Sequence, residues 1–135
     1  MRVDISSFGA KENADCTAAI KSAIDQCAKS GGGEVCIPNG RFLTGTIQLR
    51  TGVTLELSSG AILCGSGNPS SYSSDVHRSM YVGEQAQDRC LIFACGAARI
   101  GITGRGRIDG QYPMFVGTDG PRPMLIRMVD CQDVL

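Results

Sequence analysis

Residues 32–65, GGEVCIPNGRFLTGTIQLRTGVTLELSSGAILCG, constrain the fold of this chain more than any other stretch. Apolar runs at 35–37, 42–43, 47–49, 53–57 and 62–63 are separated by turns built on Pro-Asn-Gly, Thr-Gly and Ser-Ser-Gly. Runs this short, with β-branched residues in alternation and Gly-rich punctuation, read as strands joined by tight turns; none is long enough for a helix. The gaps between them leave no room for the crossover helices of a doubly wound parallel sheet. Antiparallel hairpins or a solenoid remain.

An internal repeat separates the two. Val53, Leu55 and Leu57, followed by Gly60 and Ile62, have a counterpart in Ile100 and Ile102, followed by Gly104, Gly106, Ile108 and Gly110. Residues 91–93 and 125–127 supply further strands, each upstream of an apolar pair, Ile100/Ile102 and Val134/Leu135. A Ser-rich polar insert at 66–87 makes the spacing irregular. Recurrence without crossover helices predicts a stacked β-solenoid, in which each coil buries its inward side chains only against its neighbours and the ends need cover. The one amphipathic helix, expected over 16–29, is placed to cover the first end. Cys16, Ile20, Ala23, Ile24 and Cys27 share one face, and Lys21, Asp25 and Lys29 lie mostly on the other. Asp15 is the expected N-cap and residues 30–33 the stop. At the far end the sequence stops at Val134 and Leu135 inside an expected strand. Residues 1–135 therefore read as the N-terminal portion of one truncated β-solenoid domain, with coils from about residue 34.

Composition narrows the function classes. With 13 Lys and Arg against 13 Asp and Glu, the net charge is zero, and no basic footprint marks a nucleic-acid or membrane-surface partner. Eighteen glycines, 19% charged residues and no Trp suit thin strands and many tight turns. The opening residues lack the apolar core of a secretory signal, and the seven cysteines are odd in number and form no framework. Buried reduced thiols and a cytoplasmic location are the expectation.

Several residues invite a site and fit a plainer role. Gly104-Arg-Gly106-Arg-Ile-Asp-Gly110 has the spacing GxGxxxG rather than GxGxxG, and Pro113 blocks a following helix, so it reads as a solenoid corner and not a dinucleotide loop. Cys90 and Cys95 sit five apart on one expected strand and point to opposite faces, which excludes a shared metal. Asp130 and Asp133 likewise fall on opposite faces if extended, so a solvated turn is the plainer reading and an acid pair there would have to be a distorted one. Asp109 is expected to bond its own turn backbone, and Glu56 to face solvent. His77 and Arg78 lie in the polar insert near Tyr72 and Tyr81, where Arg78 has the fork geometry to hold a uronate carboxylate.

The order of motifs then points to a family. DISSFGA (4–10), TAAI (17–20), AIDQC (23–27), GGGEVCIP (31–38) and FLTGTIQL (42–49) are followed by VTLEL (53–57), GAILCGS (60–66), ITGRGRIDG (102–110) and RPMLIR (122–127). Together they resemble the N-terminal part of the polygalacturonase-like enzymes, glycoside hydrolase family 28. The resemblance covers essentially the whole chain. It implies an all-β fold, a right-handed single-stranded parallel β-helix of the pectin-lyase-like type with one N-terminal capping helix. It also implies inverting hydrolysis of α-glycosidic bonds in pectic saccharides, which needs a general acid and a general base on opposite sides of the anomeric carbon. In the family these acids, with a His and an Arg-Lys pair, occur in Asn-Thr-Asp, Asp-Asp, Gly-His-Gly and Arg-Ile-Lys motifs. None of the four is present here, and the single His, His77, is followed by Arg78. No catalytic residue, metal ligand or cofactor is carried over, and the catalytic acids are expected beyond residue 135. After Ile-Asp-Gly this chain continues Gln111-Tyr-Pro-Met-Phe115, without the family's Trp, in a loop that the resemblance places on the substrate side. A polysaccharide lyase on the same β-helix, or a non-catalytic β-helical segment such as a phage tail-spike shaft, are the competing readings.

Overall fold

A computed structural model describes residues 1–73, 89–114 and 123–135. Eleven strands appear in them: β1 (Arg2–Asp4), β2 (Gly33–Ile37), β3 (Gly40–Thr44), β4 (Ile47–Gln48), β5 (Val53–Leu57), β6 (Ala61–Gly65), β7 (Cys90–Cys95), β8 (Ala98–Gly104), β9 (Arg107–Asp109), β10 (Met124–Val129) and β11 (Gln132–Val134). All pair in parallel, in three ladders: β1-β2-β5-β8-β11, β3-β6-β9 and β4-β7-β10. Each of the three complete coils contributes one strand to each ladder, and β1 and β11 extend the first ladder at its two ends, so the chain is a parallel β-helix with three faces. The antiparallel-hairpin alternative for residues 32–65 is excluded.

The internal repeat is the register of adjacent coils. Leu55 stacks on Ile102, Leu57 on Gly104 and Leu63 on Ile108. Alternation sends one set of side chains inward, where like stacks on like: Val35 on Leu55, Phe42 on Leu63, Ile47 on Ile92. All six are buried.

The one α-helix among the described residues, α1 (Thr17–Lys29), lies over the first coil. Ala19, Ile20, Ala23, Ile24 and Cys27 are its buried residues, close to the stripe read from the sequence. The N-cap position falls one residue later than expected, on Cys16, whose side chain makes no capping bond. Asp15 still supplies the carboxylate, accepting from the Thr17 amide at 2.9 Å and its hydroxyl at 2.6 Å. At the other end, Gly32 N–H donates to Cys27 O at 2.9 Å and Gly31 N–H to Ala28 O at 3.1 Å. With Gly31 at φ 100°, this is a Schellman stop. Residues 13–16 meanwhile run beside β3, with Asn13 and Cys16 donating to Arg41 and Leu43 carbonyls. They stand in for a missing strand below the first coil. Among the described residues no helix is long and apolar enough to cross a membrane.

Candidate functional site

The three corners of the helix differ in what they carry. Between β3 and β4 the turn is Gly45 and Thr46 alone; at the same corner of the next two coils the connections are 66–89 and 110–123. Both long connections therefore begin and end at one corner, on neighbouring coils. Their described parts are anchored by polar groups. Thr46 Oγ1 donates to Cys90 O at 2.7 Å and accepts from the Ser73 amide at 2.9 Å. Asn68 caps a short 3-10 turn (Pro69–Ser71), and Arg89 donates to Pro69 O at 3.1 Å. Tyr72 is buried, donating to Ser66 O at 2.8 Å, and its burial pushes the phenol pKa up to about 12. A Cβ on Gly45 would overlap the Ser71 carbonyl, so only glycine lets the first insertion fold down onto the corner.

The second insertion is held by Gln111. Its amide N–H bonds Asp109 Oδ1 at 2.8 Å, its side-chain NH2 donates to Gly65 O, and its side-chain oxygen accepts from Arg41 at 3.4 Å. Arg41 also reaches Asn13 Oδ1 at 3.2 Å. One polar chain thus links coils one, two and three. The Asp109 contact is the turn bond expected from the sequence.

No acid pair is poised in the described residues. Asp4 and Asp15 bond the turns that follow them, Glu12 accepts from the Arg41 amide, and Asp25 pairs with Arg50 at 2.8 Å. Glu56 is not simply solvated as expected. Its side chain is 22% exposed and, with Glu34, pairs with Arg2 across three coils of the first face, at 3.3 and 2.6 Å. Asp130 and Asp133 are exposed, and no group of metal-ligating residues is found among the described residues. Cys90 is buried, its thiol pushed up to about 11 by burial, while Cys95 at the other end of β7 is exposed. Burial also raises Cys16, Cys27, Cys36 and Cys64. None of the seven is in a disulfide. His77, Arg78, Tyr81 and Phe115 lie outside the described residues.

A second feature has no counterpart in the sequence reading. Where the third face turns back to the first, a groove of about 510 Å³ runs past the end of α1, lined among others by Gln48, Arg50, Thr51, Cys95 and Arg99. It adjoins a further groove, about 550 Å³, along Lys21, Asp25 and Arg50. Left-handed backbone recurs at this corner: Gly32 (φ 107°), Gly52 (φ 83°), Arg99 (φ 54°) and Asp133 (φ 54°) follow one another up the stack. A Cβ on Gly32 would meet the Gly52 carbonyl oxygen at 2.6 Å, so the lower position demands glycine. An arginine in this conformation costs about 1–2 kcal/mol. Among the described residues, the Arg99 guanidinium has no hydrogen-bond or ion-pair partner to offset that. The only sequence signal for the groove is the Gly-Gly-Arg column, visible once the register is known.

No family model matches the chain. It is 33% identical over 119 residues to the exo-poly-alpha-D-galacturonosidase of Dickeya chrysanthemi, covering 81% of this chain and 19% of that protein. It is 36% identical over 109 residues to a polygalacturonase of Ralstonia solanacearum, covering 76% of this chain and 20% of the relative. The family 28 exopolygalacturonase of Yersinia enterocolitica superposes with a TM-score of 0.70 at 35% identity, over 82% of this chain and 21% of that one. The chain resembles the N-terminal part of the family 28 glycoside hydrolases. It spans about a fifth of the length of the curated relatives it matches. In this polygalacturonase-like β-helix, Gly104 and Gly106 are corner glycines, as expected. A Cβ on either would strike the β5 strand or the turn after it, at Leu57 and Ser58. Residues 104–106 form a corner of the β-helix.

Proposed function

We propose that this polygalacturonase-like β-helix forms the opening coils of a glycoside hydrolase that cleaves α-glycosidic bonds in pectin-derived galacturonides with inversion, its catalytic acids lying beyond residue 135. The observation that carries the reading is the 33% identity to an exo-poly-alpha-D-galacturonosidase over 81% of the chain. The two long connections, 66–89 and 110–123, which leave and rejoin the same corner of neighbouring coils, support it, since long loops on a rigid scaffold are where binding residues concentrate. The coils supply that scaffold. Inversion requires two carboxyl groups about 6.5–9.5 Å apart with a water between them. Every carboxylate for which a partner is given above is already engaged locally, which supports a scaffold role for residues 1–135. The unpaired, mostly buried thiols support a reducing compartment.

The test is to read the open frame past Leu135, express the longer protein and measure reducing ends released from polygalacturonate. Release by the longer protein and none by the 135-residue chain is the expected result. A longer protein that leaves polygalacturonate intact, or that yields unsaturated lyase products, overturns the proposal.

A further inference from the structure

We infer that the groove at the corner between the third and first faces is a binding site for the carboxylate of an acidic saccharide, with Arg99 as its recognising side chain and Arg50 beside it. The ligand class rests on the galacturonide reading above; the site itself rests on geometry.

Its volume of about 510 Å³ falls within the range of small-molecule pockets, about 300–1,000 Å³. Polar side chains from two adjacent coils converge on it: Gln48, Arg50 and Thr51 from the lower, Arg99 from the upper. Adjacent coils are about 4.8 Å apart, so the two guanidinium-bearing positions belong to neighbouring rungs of one wall. The chain as a whole is neutral. Along this groove and its extension, however, Lys21, Arg50 and Arg99 face the single carboxylate of Asp25. Asp25 is bonded to Arg50 at 2.8 Å, and the exposed Asp133 follows Arg99 one coil further up the same column, so the excess of cations belongs to the groove lining itself.

Arg99 is the telling residue. The two coils below it hold glycine at the same left-handed corner, and glycine would be the more stable choice here too. Arginine instead projects a planar fork of donors over the groove, suited to a carboxylate. Arg50 is oriented by its contact with Asp25. Gln48 and Thr51 supply neutral groups able to bond sugar hydroxyls.

The experiment is a chemical-shift titration of the 135-residue chain with trigalacturonate, its methyl ester and inorganic phosphate, repeated on Arg99→Gly and Arg99→Lys. The expected result is saturable binding of trigalacturonate with shifts centred on Gln48, Thr51 and Arg99. Arg99→Gly should weaken it about tenfold or more, as loss of a charge-assisted pair does, while its thermal midpoint stays the same or rises. The methyl ester should lose as much, and Arg99→Lys should retain part of the affinity. No binding of trigalacturonate, or an unchanged Kd in Arg99→Gly, overturns the inference. Equal competition by inorganic phosphate overturns the assignment to a saccharide. The readout is binding alone. A longer protein that fails to hydrolyse polygalacturonate therefore refutes the proposed function without touching the groove, and an indifferent Arg99→Gly refutes the groove without touching the hydrolase reading.

Discussion

Ile47, Ile92 and Ile126 occupy one column of the third face, in register on three successive coils. The first two are fully buried, and Ile126 is 41% exposed. The same gradient runs through the other faces. Val35 and Leu55 are buried and Ile102 only partly so; Phe42 and Leu63 are buried and Ile108 partly so. At the first coil, α1 and residues 13–16 lie over the open end of the stack. At the last, Leu125, Val134 and Leu135 join Ile126 among the exposed apolar side chains. Chemistry and register are alike in the two regions, so the difference lies in what stacks on them. In a solenoid, burial is a property of neighbours and not of the residue.

The comparison is most easily broken by truncating the same residue on two coils. Ile92→Ala should cost about 2–5 kcal/mol, the usual range for a buried large-to-small change. In the 135-residue chain, Ile126→Ala should cost less than about 1 kcal/mol, since little is lost when a side chain is already half in water. Urea unfolding of both variants decides it, and equal costs would contradict the gradient. Corner glycines offer a second contrast. Gly104 has φ 100° and a Cβ there would overlap the Leu57 carbonyl, so Gly104→Ala should lose about 1–3 kcal/mol or more. Gly96 has φ 63° with open space around it, and its alanine variant should stop near the bare conformational cost of about 1–2 kcal/mol. Thermal unfolding should rank them in that order.

Smaller effects sharpen the account of the covered end. Asp15→Ala removes the carboxylate that satisfies the first turn of α1 and should cost about 1 kcal/mol. The Asp15 pKa is lowered by its bonds to the Thr17 hydroxyl and amide. Its contribution is therefore complete above the ordinary carboxylate value of about 4 and is lost as the pH falls through the lower folded-state value. Stability measured against pH should show the wild type and Asp15→Ala converging in acid; parallel curves would rule out the cap. The smallest effect is expected for Arg2→Ala. Its ion pairs with Glu34 and Glu56 bridge three coils but leave the guanidinium side chain 58% exposed. Any shift in midpoint should vanish as salt is raised, and a shift that persists would mean that the pairs are shielded from solvent.

Much of this molecule was legible along the chain. Short alternating runs and Gly turns excluded helices between strands, and the likeness of residues 53–63 to 100–110 predicted coils that the register confirms pair by pair. The helix at 17–29 announced itself by its apolar stripe and its Ser-Gly-Gly-Gly stop. These are local matters, set by backbone conformation and by a period of two or 3.6 residues. The candidate sites were less visible, because they depend on residues distant in sequence meeting at a corner. Nothing near Gln111 marks it as the tie between Arg41, two coils' worth of chain away, and Gly65, one coil away. Arg99 looks like an ordinary surface arginine until stacking places it above Gly52 and Gly32. Period and turn chemistry dictated that this chain would coil; the parallel register, which sums many weak contacts between coils, chose which side chains share a corner.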